Sequence, residues 1–360
     1  MDRNNINTSE ALEAYFTREV ASCTPYGNGH INDTFLVQTE QERYILQRIN
    51  TYVFPRPVEL MENILAVTEH IRNKSAELGG DVRRSTLVVL PTLAGENYFC
   101  DSNNGYWRLY EFTERTVTCE KVENVEQFYR CGAAFGNFQQ LLADFPANTL
   151  HLPIPNLHNT PWRYENLMRS AEQDVMGRAS GVKDLLAFVK EREVFCHILE
   201  KASLPLRVTH NDTKLNNILF DESDLSPVCV IDLDTVMPGY AVTDFGDSIR
   251  SGANTASEND SDPANVRLDI DLFAAYTKGF IEGCNGSLTE KELSLLAESA
   301  RLITLECGMR FLTDYLDGDV YFKIHYPCQN LDRARIQFAL VKDMESKLPQ
   351  MREIVRSLSK

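Results

Sequence analysis

Asp212 and Asn217 stand five residues apart in the polar stretch Thr209-His210-Asn211-Asp212-Thr213-Lys214-Leu215-Asn216-Asn217. A second carboxylate, Asp232, closes the apolar run Val228-Cys229-Val230-Ile231, and Asp234 follows it two residues later. Such a set can serve phosphoryl transfer. One carboxylate takes the proton of an attacking hydroxyl, while an amide oxygen and another carboxylate hold magnesium against nucleotide phosphates. Asp212 is then the candidate base. Asn217 and Asp232 are the candidate metal ligands, with Asp234 for a second ion. Lys214, two residues past the base, can offset charge on the moving group. His-x-Asp-x-x-x-x-Asn matches a catalytic loop of this chemistry, and Ile231-Asp232-Leu233 stands where its metal-binding Asp-Phe-Gly would fall. The same residue types also favour caps and Asx turns, so His-x-Asp alone says little. Four matches in order, with a predicted strand-turn-strand between Asn217 and Asp232, say more. A literal Asp244-Phe245-Gly246 lies further on, past the Pro238-Gly239 turn. Because it opens a segment, Asp244 or Asp247 is expected to brace the catalytic loop or cap a helix.

Positioning these groups takes strands before them and helices around them. Tyr26-Gly27-Asn28-Gly29-His30-Ile31-Asn32 leads into a strand of β-branched and aromatic residues, and a second strand, 43–49, follows a polar turn. Gly27, Asn28, Gly29 and Asn32 can lay backbone amides over phosphates. Gly-x-Gly before a strand is commonly only a turn, but its place far upstream of Asp212 favours the phosphate role. Pro57 opens a helix with Leu60, Ile64, Val67 and Ile71 at helical spacing. Glu59 and Glu62 on that helix suit either an ion pair with a strand cation or plain solvation. Strands are expected at 86–90, 97–100 and 107–112. The exit of the last, at Glu111 and Phe112, is the expected hinge against adenine. Helical pattern dominates beyond it: Phe128, Cys131, Phe135, Phe138 and Leu142 form a buried stripe, and further helices are expected at 163–178, 183–201, 266–283, 289–314 and 331–357.

The 360 residues carry a formal net charge of -16. Such a surface repels nucleic acid and anionic membrane, so neither is an expected partner. No apolar run reaches the roughly 18 residues of a membrane helix, and the polar N-terminus lacks a signal-peptide core. Nine dispersed cysteines without a Cys-x-x-Cys pair read as reduced thiols of a cytoplasmic protein.

Through Thr209 to Asn217 and Ile231-Asp232-Leu233-Asp234-Thr235 the chain resembles the aminoglycoside-phosphotransferase-like family of small-molecule kinases. The resemblance implies ATP and Mg2+ as cofactors. It also implies an α+β, two-lobed, protein-kinase-like fold: an antiparallel-sheet N-lobe with a helix over 1–113, and a mainly helical C-lobe with a catalytic β-hairpin over 114–360. Three more stretches, Tyr26 to Asn32, Tyr44-Ile45-Leu46-Gln47 and Glu306 to Leu316, resemble members that phosphorylate the anomeric hydroxyl of N-acetylglucosamine or N-acetylgalactosamine. Only this resemblance points to a small-molecule sugar substrate; composition and periodicity are silent on it. In that reading Arg310, Asp314, Tyr315 and Tyr321 are candidate acceptor residues, and His30 would project from the glycine hairpin towards the transfer site. Each suits an ordinary structural role equally well. One departure stands out. The strand that in kinases ends in lysine here reads Tyr44-Ile45-Leu46-Gln47-Arg48. Gln47 could meet phosphate oxygens without charge, or Arg48 could supply the cation. A non-catalytic nucleotide binder therefore stays open, as does a kinase for choline, homoserine or an aminoglycoside.

Overall fold

The computed structural model describes residues 6–27 and 31–360. Helix α1 (Ser9–Tyr15) precedes strands β1 (Ser22–Pro25), β2 (Asp33–Gln38) and β3 (Arg43–Ile49). There follow α2 (Pro57–Glu77), with its proline in the first turn, then β4 (Val89–Leu90), β5 (Phe99–Cys100), β6 (Tyr106–Glu111) and β7 (Thr116–Val117). The middle of the chain holds α3 (Val125–Leu141), α4 (Thr160–Gln173), α5 (Lys183–Lys190), α6 (Glu193–Cys196) and strands β8 (Arg207–Thr209), β9 (Ile218–Asp221), β10 (Pro227–Val230) and β11 (Met237–Gly239). Helices α7 (Ala241–Gly252), α8 (Ile270–Cys284), α9 (Glu290–Asp317) and α10 (Gln329–Leu358) complete it. This is the expected α+β class, an antiparallel sheet followed by a helical part. The single helix expected over 183–201 is broken at Glu191–Arg192. There Arg192 turns inward, its guanidinium donating to Phe188 O and pairing with Glu345 of α10 at 2.7 Å.

The chain divides into two compact units, and the division is not one cut. The first comprises Met1–Val117, Asp144–Pro155 and Leu219–Met237; the second holds Thr118–Ala143, Asn156–Ile218 and Pro238–Lys360. The boundary expected at 113/114 falls near the end of the first segment.

In the first unit the strands run β1-β2-β3-β6-β4, with β5 also on β6, all antiparallel. Phe35, Val37, Leu46, Trp107 and Leu109 pack beneath Ala11 and Tyr15 of α1. The periodic stripe Leu60, Ile64, Val67 and Ile71 of α2 is at most 2% exposed; each such side chain contributes roughly 1.5–3 kcal/mol when buried. The middle of strand β6, Trp107 to Tyr110, is buried on both faces, and Arg108, at 1% exposure, is the charged residue there.

In the second unit α3 and α8 cross at glycines from both sides. A Cβ on Gly132 would stand 2.3 Å from Tyr276 O, and one on Gly279 would stand 2.0 Å from Tyr129 O. Gly136 and Gly283 repeat the pattern one turn on. The absence of side chains lets the two backbones touch, as small-residue seams do between helices elsewhere. Helix α9 begins with a capping box, in which Thr289 and Glu292 satisfy each other's backbone N–H groups.

Candidate active site

The loop that carries Asp212 and Asn217 leaves β8 and is held by α7. Asp244 accepts the His210 N–H (2.8 Å) and Gln139 Nε2 (3.0 Å) on one oxygen and the Asn211 N–H (2.8 Å) on the other. Asp247 accepts the Thr213 N–H at 3.0 Å, Thr213 Oγ1 donates to Asp244 O, and Ser248 Oγ donates to Thr213 O. The His210 ring stands edge-on to Phe135 and Phe138 of α3, at 5.6 and 5.9 Å. These contacts hold Asn211 at φ +65°, a left-handed conformation unfavourable for most residues. The literal Asp-Phe-Gly is therefore a brace for the loop, as its position suggested. Burial pushes the Asp244 carboxyl above its ordinary value, although His210 and the two backbone donors oppose it.

Asp212, Lys214 and Asn217 come together on that loop. Lys214 Nζ lies 2.7 Å from Asp212 Oδ1, and Asn217 Nδ2 donates to Asp212 Oδ2 (3.1 Å) and Asp212 O (2.8 Å). Asp212 raises the Lys214 ammonium above its ordinary value against the effect of burial, and Asp247 and Glu258 add to it. With its amide nitrogen committed to Asp212, Asn217 leaves its oxygen as the end suited to a cation.

The first unit carries the other carboxylates. Asp232 has φ +59° and ψ +58° at the start of the 3-10 turn Leu233–Thr235. Two residues on, Asp234 is 3% exposed, lies 2.6 Å from Arg108 Nη1, and accepts from Asn32 Nδ2. Arg108 in turn donates through Nε (3.0 Å) and Nη2 (2.8 Å) to Gln47 Oε1, and Gln47 Nε2 donates to Thr34 Oγ1. Gln47 and Arg108 are cross-strand partners of β3 and β6. Two expectations change here. Gln47, expected at the phosphates, orients a buried arginine instead, and a lysine there would stand against Arg108. Arg48, the other candidate for the missing lysine, lies over the Trp107 ring, 5.9 Å from its centroid. Asp234, expected to serve a second ion, is already ion-paired. Burial works against the charge of Arg108, but Asp234, Tyr110 and Asp232 raise its pKa. The sequence signal that was missed is a lone cation inside Trp107-Arg108-Leu109-Tyr110.

Asn32 is fixed just ahead of β2, its Oδ1 accepting the Asn50 N–H at 3.0 Å. Gly27 is left-handed at φ +70°; the expected Asn28, Gly29 and His30 roles lie outside the described residues. At the expected hinge, the N–H groups of Glu111 and Phe112 donate to Val88 O and Arg43 O. The Phe112 ring stands edge-on to Tyr26 with centroids 6.1 Å apart.

A polar cluster gathers in the second unit around Arg310 of α9. The Arg310 guanidinium lies 5.5 Å over the Phe322 ring. Burial and Arg310 together lower Arg163 to about 10, with Glu306 and Tyr321 acting the other way. Glu306, 1% exposed, takes His158 Nδ1 at 2.7 Å and Thr160 Oγ1 at 2.6 Å. Arg310 and Tyr321 were expected here; Arg163, His158 and Glu306 were not named, because no short motif links 158–163 to α9. Asp314 has another job. Its buried carboxylate accepts the N–H groups of Val320, Tyr321 and Phe322 and the Asn330 amide, which fixes the turn after α9. Tyr315 lies under Arg178, whose guanidinium is 4.6 Å from its ring.

A profile of the phosphotransferase enzyme family, APH, matches residues 22–279. Among solved structures, a microcompartment-associated aminopropanol kinase superposes with a TM-score of 0.64 at 16% identity, over 96% of this chain and 97% of that one. Plasmodium vivax ethanolamine kinase gives 0.58 at 14% identity, over 98% and 86%. A spectinomycin phosphotransferase solved with ADP and spectinomycin gives 0.57 at 11% identity, over 95% and 97%. At these identities the likeness speaks for a shared fold.

Proposed function

This chain belongs to the phosphotransferase enzyme family, and we propose that it moves the γ-phosphoryl group of ATP to the anomeric hydroxyl of an N-acetylhexosamine. The observation that carries the choice of acceptor is the charge of the cluster around Arg310. Arg310 acts electrostatically on both Arg163 and His158, and the carboxylates near them are already committed, Glu306 to His158 and Thr160 and Asp247 to Arg250 and the Thr213 N–H. A cationic acceptor, of the kind the aminopropanol and ethanolamine kinases are named for, would meet like charge. A neutral sugar offers hydroxyl and amide oxygens to guanidinium donors. Tyr321, edge-on to the Phe322 ring that lies under Arg310, offers an aromatic face.

In this reading Asp212 orients the sugar hydroxyl and takes its proton as transfer proceeds. Lys214, tied to Asp212, offsets charge on the phosphoryl group. The oxygen of Asn217 in the second unit, and the carboxylate of Asp232 in the first, are each hard donors of the kind that suit magnesium, an ion that would neutralise charge on phosphate oxygens. Asp234 then positions rather than coordinates: it fixes Arg108, which takes the place of the usual strand lysine as the buried cation behind the Asp232 turn. The Tyr26 and Phe112 rings give adenine an apolar face, since the neighbouring amide donors belong to the sheet. An intact Asp212–Lys214–Asn217 group speaks against a purely nucleotide-binding protein. Nine free thiols suit a reducing, cytoplasmic setting, and among the described residues no helix is long and apolar enough to cross a membrane.

The test is phosphorus NMR of the product made from ATP with N-acetylglucosamine, N-acetylgalactosamine, glucose, ethanolamine and choline in turn. The expected product carries its phosphate on carbon 1 of the acetamido sugars, with glucose a weaker acceptor. A phosphate on carbon 6, or turnover with the amines alone, overturns the reading.

A further inference from the structure

One imidazole in the second unit has half of its hydrogen bonding fixed and half open. His158 Nδ1 meets Glu306 Oε1 at 2.7 Å, and Thr160 Oγ1 donates to Glu306 Oε2 at 2.6 Å. The side chains are 10% and 1% exposed respectively for His158 and Glu306. His158 Nε2 is buried with no hydrogen-bond partner among the described residues. Buried polar atoms are nearly always paired, so an open one at the end of a clamped ring calls for a cause. The ring cannot turn to relieve it without giving up the Glu306 contact.

The surroundings supply that cause. Asp247 and Arg310 both act electrostatically on His158, and Arg310 also acts on Glu306 and Arg163. Asp247 in turn holds the backbone of Thr213, the residue after Asp212. The open nitrogen therefore belongs to the cluster assigned above to the acceptor. We infer that His158 Nε2 hydrogen-bonds an oxygen of the phosphoryl acceptor, a hydroxyl or an amide carbonyl, and that Glu306 and Thr160 are there to aim it. The inference rests on the acceptor lying in this cluster. Burial works against a charged ring, but Glu306 prevails and raises the His158 pKa above its ordinary value. With Nδ1 turned to Glu306, Nε2 is the ring atom left to meet a hydroxyl or an amide carbonyl of the acceptor.

The test combines kinetics with imidazole NMR on the full chain. His158→Gln identifies the His158 resonance by its loss. His158→Phe removes the donor, and losing a charge-assisted hydrogen bond should raise the acceptor KM by roughly 10- to 100-fold while the KM for ATP stays unchanged. N-acetylglucosamine added to the wild type should shift the His158 resonance. If N-acetylglucosamine is phosphorylated but the resonance stays still and both variants keep the wild-type KM, the inference is overturned and the sugar reading stands. If ethanolamine alone shifts the resonance, the sugar reading falls and His158 remains an acceptor contact. A resonance that no acceptor moves overturns the inference outright. Thermal unfolding shows whether His158→Phe folds; if it does not, His158→Gln and the wild-type titration decide.

Discussion

In the proposed transfer a proton must leave the acceptor hydroxyl as the phosphoryl group arrives, and Asp212, held by Lys214 and Asn217, is the carboxylate we propose for it. Asp212→Asn keeps shape and removes the base, so turnover should fall by about 10²–10⁴ with ATP affinity, read by calorimetry, retained. Near-normal turnover would remove Asp212 from this role. Asp247 carries a pH signature. Burial opposes its ionisation, but Arg250, Lys214 and His158 prevail and lower it to about 2. An unfolded aspartate titrates near 4, so the native state gains stability that is fully present above that pH and lost as pH falls towards 2, roughly 2–3 kcal/mol in all. In urea titrations the stability gap between wild type and Asp247→Asn should narrow between pH 4 and 2; a gap constant over that range would sink the argument. Asp212, Lys214 and Asn217 were legible because their relation is local, fixed by spacing along one loop. Arg108 was not, because its partners Gln47 and Asp234 lie on distant strands and turns that no short motif links.

Helices and strands followed from periodicity wherever apolar residues drew the face, as in α2, α9 and α10. The seam between α3 and α8 was invisible to the same reading. Phe128, Phe135 and Phe138 marked α3 as buried, but the contact itself is made by residues with no side chain to count. Gly279→Ala places a methyl against the Tyr129 carbonyl, 2.0 Å from where its Cβ would stand. The helices must part, and overpacking of this kind costs about 1–3 kcal/mol or more. The urea midpoint should drop at unchanged m-value. Because α3 also carries Gln139, which donates to Val208 O and Asp244, the same variant should lose turnover beyond its loss of stability. A midpoint equal to wild type would show that the seam yields without cost.

At the scale of the molecule, the class and the family were readable, and the proposed acceptor entered only as a resemblance. The charge of the Arg310 cluster gives that resemblance a physical footing, since it depends on which side chains meet rather than on their order. The two-unit division was only half legible. Segments 144–155 and 219–237 join the first unit through contacts such as Asn63 with His151 and Val236, which sequence distance hides.

That interrupted construction governs how the protein can be born. A ribosome delivers the chain from its N-terminus, and Arg108 emerges long before Asp234, the carboxylate that neutralises it. Until residue 237 is released, the early sheet holds a cation facing its interior with no counter-charge, a state that costs several kcal/mol. The second unit's α3 is meanwhile already outside the tunnel. The nascent sheet should thus stay open and chaperone-accessible until the hairpin of β9 and β10 arrives. A fragment ending at residue 117 should accordingly fail to give a cooperative unfolding transition or bind nucleotide, and a stable, ATP-binding fragment would show that the late segments are dispensable.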